Sequence, residues 1–323
     1  MTVKTDFSRD DFLNILANYN LGEFRAFKPV VEGNVQTNFI LQTATGKFIF
    51  RYYENRSQGS VAFESCLVKY LKDNHYPCPA IFKNNQGEYV GVYKGKPFVI
   101  FEFVEGEHLE NPGEAQKKQL IEKVAELQNI TRNYHPRHKE DRWNYSLELA
   151  QALAQREAQR IDTANSREKL AWFETELAKI DLPEALPKGI CHCDFHFSNI
   201  LFKDGQFKAL IDFDDANYTF LTYDLATLIN PFIPAFEWDT WSSFNKDAHL
   251  FDFREARTIV EEYVRHRPLA EIEKKHLFDV YKLSVMFDCI WYFERGEVND
   301  FYEKRKIDHL NRLGRANFYA ELF

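Results

Sequence analysis

The chain predicts an α+β fold in which an antiparallel sheet comes first and helices follow. Three observations predict it. Residues 24–53 and 97–104 are short strand-like runs, set off by turn groups such as Ala44-Thr45-Gly46 and Tyr93-Lys94-Gly95-Lys96. After Gly113 the apolar residues switch to helical spacing. Between these helices and a helical C-terminal third, residues 189–213 return to a strand–turn–strand pattern around Asp204-Gly205.

Each element has its own signal. Ser8-Arg9-Asp10-Asp11 reads as a capping box, with Phe7 and Phe12 placed as a hydrophobic staple. Phe12, Ile15, Leu16 and Tyr19 give the helix its stripe, and Asn20-Leu21-Gly22 stops it. Residues 24–53 read as three strands, turning at Glu32-Gly33-Asn34 and again at Ala44-Thr45-Gly46. A helix follows around Ala62–Leu71, and Pro77 and Pro79 then force extended chain. Lys83–Gly87 and Tyr93–Lys96 are turns, and Pro97–Val104 is a strand.

In the helical part, Leu120, Ile121, Val124 and Leu127 form one stripe. Leu147, Ala150 and Ala154 form a second, and Leu170, Phe173 and Leu177 a third. The segment Thr131–Trp143, rich in His, Arg and Lys, reads as a solvated loop, with the alternative that it carries charge toward an anionic ligand. Beyond residue 230, Ile259, Tyr263 and Val264 make a stripe, as do Leu283, Met286, Phe287, Ile290 and Trp291. Trp238, Trp241, Asp288 and Trp291 are either packing residues or a set of rings and a carboxylate able to hold an ammonium group.

Composition excludes several classes. With 41 basic and 49 acidic residues the net charge is −8, which argues against a nucleic-acid surface. No apolar stretch has the ~18 residues of a membrane span. The N-terminus lacks an apolar export core. Five irregularly spaced cysteines suggest free thiols in a reducing compartment, so a cytoplasmic location is expected. A monomer and a homodimer stay equally open. The 30 phenylalanines imply an aromatic core, some of which can wall a ligand pocket.

The chemistry concentrates in G-I-C-H-C-D-F-H-F-S-N-I-L-F-K-D-G-Q-F-K-A-L-I-D-F, residues 189–213. His192, Asp194 and Asn199 have the spacing H-x-D-x-x-x-x-N of a protein-kinase catalytic loop, with Cys193 where such loops carry Arg. Average composition produces that pattern by chance about 0.02 times in a chain of this size. Folding the hairpin at Asp204-Gly205 brings Asn199 and Asp212 to the same open end. Phosphoryl transfer needs one carboxylate to orient the attacking hydroxyl, and an Asn and a second Asp to hold magnesium on the phosphates. Asp194 suits the first role; Asn199 and Asp212 suit the second; His192 orders the loop. A zinc knot of Cys191, His192, Cys193 and His196 is the competing reading, weakened because strand alternation sends His192 away from the two cysteines.

These residues, with A-L-I-D-F-D-D-A and Thr222-Tyr223-Asp224-Leu225-Ala226, resemble the aminoglycoside phosphotransferase-like kinases. The segments V-K-T-D-F-S, Y-N-L-G-E-F, V-V-E-G-N-V-Q-T-N-F-I-L and Y-P-C-P-A-I are most similar to the bacterial homoserine kinase group. The resemblance implies a two-lobed protein-kinase-like fold: residues 1–104 as a nucleotide-binding lobe of antiparallel sheet with a helix, and 105–323 as a mostly helical catalytic and substrate-binding lobe. It implies ATP and Mg2+ as cofactors and a small-molecule hydroxyl as acceptor, with homoserine first. Choline or ethanolamine, aminoglycosides, sugars, and a catalytically silent nucleotide binder are the alternatives.

It further implies a cation on the third strand. Arg51 stands there instead of the usual Lys, with Arg56 as its rival. Glu64 would pair with that cation, unless it is only a solvated helical carboxylate. The backbone of Glu102 to Val104 would meet the adenine edge. Asp214 or Asp215 would bind a substrate amine or cap the next helix; homoserine kinases usually carry aromatic residues at this place. Asp224 would support the catalytic loop from behind.

Overall fold

The structure is a computed structural model that describes residues 4–30, 35–230, 250–291, 293 and 301–323. In chain order the elements begin α1 (Arg9–Leu16), β1 (Phe24–Pro29), β2 (Thr37–Thr43), β3 (Lys47–Tyr52), α2 (Gln58–Asp73), β4 (Gly91–Tyr93) and β5 (Lys96–Glu102). Three helices follow: α3 (Glu114–Ile130), α4 (Leu147–Ile161) and α5 (Ala164–Leu177). Then come β6 (Lys188–Cys191), β7 (Ile200–Lys203), β8 (Gln206–Leu210) and β9 (Asn217–Phe220). The described chain ends with α6 (Thr222–Ile229), α7 (Phe253–His266), α8 (Glu271–Trp291) and α9 (Tyr302–Leu322). It divides into two compact units, one of Met1–Gln116, Asn133–Arg142 and His196–Ala216, the other of Lys117–Arg132, Trp143–Phe195 and Asn217–Phe323.

The first unit is built on an antiparallel sheet of order β1-β2-β3-β5-β4. Ser8 caps α1 through a capping box with Asp11, and the Phe7 and Phe12 rings stack at 5.4 Å, as the staple requires. Phe7 and Phe12 join Phe39, Phe48, Phe50, Tyr52 and Phe98 in one aromatic core. The two-residue period of β3 decides where its cation goes. The alternation that sends Phe48, Phe50 and Tyr52 into this core sends Ile49 and Arg51 to the opposite face.

The Tyr93–Lys96 turn has positive φ at Lys94 and Gly95, the geometry that matches strand twist in a two-residue hairpin. The β7–β8 hairpin belongs to this unit and turns at Asp204 (φ 52°) and Gly205 (φ 73°) as expected. Glu107 and Phe202 exchange both backbone bonds at 2.9 Å, tying it to the chain beyond β5. The expected turn at Glu32-Gly33-Asn34 includes residues 32–34, which lie outside the described residues.

The second unit is helical around an antiparallel β6–β9 pair. Its α8 is not the one-sided helix that Leu283, Met286, Phe287, Ile290 and Trp291 suggest. Leu277, Val280, Tyr281, Val285 and Cys289 are also buried, because α4, α5, α6 and α9 pack around it. Trp291 is 76% exposed and is not a packing residue. On α7 the buried stripe is Ala256, Val260 and Tyr263. The buried Lys282 of this unit is paired: it reaches Glu176 at 2.9 Å and Asn311 at 3.0 Å.

Candidate active site

The first unit assembles an ion-pair network at the open end of the β7–β8 hairpin. The Ile211 N–H donates to the Asn199 carbonyl at 2.9 Å, which holds Asn199 and the neighbouring Asp212 at one end, as the hairpin fold implies. Asn199 is buried in a short 3-10 turn ahead of β7. Asp212 has φ +62°, a left-handed backbone that a non-glycine residue adopts only under constraint.

Arg51 approaches Asp212 from β3. Its Nη1 donates to Asp212 Oδ1 at 2.7 Å and its Nε to Asn38 Oδ1 at 3.1 Å. Glu64 Oε1 lies 3.8 Å from the same guanidinium. Glu64 is therefore not a solvated helical carboxylate; it is 1% exposed and also accepts the Tyr53 hydroxyl at 2.9 Å. Burial pushes its carboxyl up to about 7, with Arg51 pulling the other way.

Arg56 is committed elsewhere. Its Nε and Nη2 donate to Asp214 at 2.8 and 3.0 Å, and Nη2 also reaches Asp215 at 3.2 Å. Gln36 Nε2 donates to Asp214 Oδ2 at 2.8 Å. Burial opposes the Asp214 charge, yet the Arg56 contacts hold its pKa below the ordinary value. These bonds engage Asp214 within the protein, and the chain order overturns the helix-capping reading of the Asp pair. Asp214 is the anchor of the Asp212 loop, and no helix follows for either residue to cap, because the next element is the strand β9. The same bonds divide the two cations: Arg51 is the one beside Asp212, and Arg56 the one beside Asp214.

Sequence reasoning missed Arg142. The segment read as a solvated loop carries this one buried guanidinium, which donates to the carbonyls of Asp214 and Ala216 at 2.6 Å and to Ser60 Oγ at 2.8 Å. It clamps the Asp212–Ala216 backbone to the start of α2. Nothing local separates Arg142 from the exposed His and Lys around it. Gln36 and Asn38 were likewise unreadable, since their partners lie far along the chain.

Glu102 ends β5, and its N–H already donates to the Ala80 carbonyl at 2.8 Å. Its carboxylate accepts from Ala80 N–H at 2.9 Å and Lys72 Nζ at 3.0 Å. Val104 lies just beyond the strand.

The second unit carries the other half of the motif. His192 is fully buried with its ring 4.8 Å from that of Phe195. Cys193 has φ +65°, and Asp194 follows, partly open to solvent. Asp224, on α6, holds this loop. Its two oxygens accept the backbone N–H groups of His192 at 3.1 Å and Cys193 at 2.8 Å, and Gln128 adds a third bond at 3.3 Å. Burial pushes Asp224 up to about 6, against those three donors. The loop that presents Asp194 is thus strained and pinned from behind. Cys191 turns its Sγ to the Phe220 carbonyl at 3.3 Å. Among the described residues no group of three His, Cys, Asp or Glu side chains could hold a metal, which removes the zinc knot. Asn199 and Asp212 instead offer hard amide and carboxylate oxygens, the donor type magnesium takes.

Comparison with known proteins shows the family. Residues 26–259 match the model of a family described as "Phosphotransferase enzyme family". The chain belongs to that family. It is a phosphotransferase of the ATP-dependent small-molecule kinase type. Homoserine kinase of Rhodopseudomonas palustris is 30% identical over 96% of this chain and 88% of its own. That of a Caulobacter species is 32% identical over 95% and 89%.

Among solved structures, amicoumacin kinase in complex with AMP-PNP, Ca2+ and Ami superposes with TM-score 0.63 at 16% identity, covering 98% of this chain and 94% of that one. A spectinomycin phosphotransferase bound to ADP and its antibiotic gives TM-score 0.60 at 13% identity, over 99% and 95%. The phosphotransferase therefore has the two-lobed, protein-kinase-like α+β fold that the family resemblance implied. No helix among its described residues is long and apolar enough to cross a membrane.

Proposed function

We propose that this phosphotransferase moves the terminal phosphoryl group of ATP to the hydroxyl of homoserine, forming O-phosphohomoserine in the cytoplasm. The observation that carries this reading is homology to homoserine kinases at 30–32% identity along nearly the whole chain. In this reading residues 1–104 bind nucleotide and 105–323 carry catalysis and acceptor binding. Asp194 accepts a hydrogen bond from the acceptor hydroxyl and orients its oxygen for attack. Asp224 and His192 keep the Asp194 loop in its strained form. Asn199 and Asp212 hold Mg2+, which when bound neutralises charge on the phosphates. Arg51, positioned by Asn38 and Glu64, grips phosphate oxygens as a planar fork. The Val104 N–H and Glu102 carbonyl take the adenine edge, the Glu102 N–H being engaged by Ala80. Acceleration comes from positioning and charge neutralisation.

A coupled ADP-release assay over homoserine, choline, ethanolamine, an aminoglycoside and simple sugars tests the acceptor. Homoserine should give the largest kcat/KM; a larger value for any other overturns the assignment. One observation favours a second reading: Arg51 replaces the customary Lys, as in a binder that holds nucleotide without transferring it. That reading stands if Mg-dependent ATP binding is seen by thermal shift and no acceptor yields ADP.

A further inference from the structure

Behind Asp194 the second unit buries more charge than packing calls for. Asp288 on α8 accepts from Asn230 Nδ2 at 3.3 Å. The Asn230 oxygen in turn accepts from Lys306 Nζ at 2.7 Å and from the Tyr281 hydroxyl at 3.1 Å. Lys306 is 3% exposed and Glu303 is 4% exposed. Glu303 Oε2 has no hydrogen-bond donor among the described residues. Asp288 and Glu303 both interact electrostatically with Lys306 and with each other. Asp288 also feels the charge of Asp194.

Three features set this cluster apart from an ordinary buried ion pair. Among the described residues its charge does not cancel even with Glu303 pushed up to about 8 by burial and so held largely neutral: Asp288 and Asp194 both act on the one ammonium of Lys306 or on each other. One of its oxygens is buried and unsatisfied, an arrangement that costs stability unless something else donates to it. Asp288 itself remains partly open to solvent while burial pushes its carboxyl up to about 6, Lys306 and Asn230 opposing and Asp194 adding to the rise. A carboxylate that is both desolvated and reachable can be met directly by a ligand donor. An excess of negative charge with an unused acceptor is complementary to a ligand cation that donates several hydrogen bonds. A primary ammonium meets that description, with three donors and one positive charge.

We propose that Asp288, positioned by Asn230 and Lys306 and supported by Glu303, is the specificity residue that binds a primary ammonium on the acceptor while Asp194 engages its hydroxyl. This rests on the acceptor being a small amino alcohol, and it names the residues that select that class. Neutral sugars and amine-free hydroxy acids lack the group that would satisfy the cluster. The desolvated charge is a stability cost carried for binding, so Asp288→Asn leaves the empty fold at least as stable as the native chain.

The test compares three acceptors in the ADP-release assay on the full chain: L-homoserine, 4-hydroxybutyrate, which lacks the amine, and 3-amino-1-propanol, which lacks the carboxylate. Native protein should use 4-hydroxybutyrate at least about 100-fold less well in kcat/KM than homoserine; near-equal values overturn the proposal without any variant. Asp288→Asn should raise KM for homoserine and 3-amino-1-propanol about 30-fold or more, with kcat/KM for 4-hydroxybutyrate within threefold of native. Unchanged KM for homoserine, or an equal loss on all three acceptors, overturns it. If native protein turns over no homoserine, the function proposed above fails separately. The ammonium site is then judged by thermal protection: 3-amino-1-propanol should protect native protein more than 1-propanol does, and equal responses overturn the site.

Discussion

Replacing Arg51 separates a phosphate-gripping cation from one that only holds the fold. The guanidinium already donates to Asn38 and Asp212 at 3.1 and 2.7 Å, so its plane is fixed on the β3 face. Two charge-assisted bonds to phosphate oxygens contribute about 1.5–3 kcal/mol each, together about 3–6 kcal/mol. Arg51→Met should therefore lower kcat/KM for ATP by about 10²–10⁴. Arg51→Lys keeps the charge but cannot serve Asn38 and a phosphate together, and should lose about 10–100-fold. Stability should suffer less than catalysis. Without Arg51, Glu64, already near 7, rises further and takes a proton, so no bare charge is left buried. Steady-state ADP release with varied ATP reads the first effect and thermal melts the second. A kcat/KM for Arg51→Met within threefold of native would refute this account of the site.

Three further outcomes follow from the same contacts. Asp194→Asn and Asp212→Ala should each reduce turnover by about 10³-fold or more with the far-ultraviolet circular dichroism unchanged; retained turnover in both removes the phosphotransfer assignment of these residues. Asp224 has a folded pKa of about 6 against an ordinary 3.8, so the folded state binds the extra proton between those values. Stability from this group is full below about 4 and is lost as pH rises through 6. The stability of Asp224→Asn relative to native should accordingly grow by about 3 kcal/mol at most between pH 4 and 7, and a flat difference curve would contradict it. Arg142→Ala strips donors from the carbonyls of Asp214 and Ala216 and from Ser60, at a cost of about 2–4 kcal/mol in urea unfolding.

What could be read in advance was local. The capping box at Ser8, the staple of Phe7 on Phe12, and the positive-φ turns at Lys94-Gly95 and Asp204-Gly205 each depend on residues within a few positions, and each forms as expected. The hairpin follows from its turn, and with it the pairing of Asn199 and Asp212 at one end. Even the face taken by Arg51 was implicit in the two-residue period of β3.

The partners of the charges were not. Arg51 meets Asp212 across 161 positions, and Arg56 meets Asp214 across 158. Arg142 looks like any loop cation until its guanidinium is buried against Ser60, 82 positions away. Asn230, Lys306 and Glu303 carry no signal of their own, and Asp288 stands out only beside the neighbouring tryptophans. A chain by itself determines backbone preferences, turn chemistry and motif spacing, because these are settled by neighbours. Which carboxylate is desolvated, which cation answers it and which oxygen is left wanting a donor are decided only when distant segments exclude water from one another. Electrostatic strength depends on that exclusion, and tertiary packing alone supplies it.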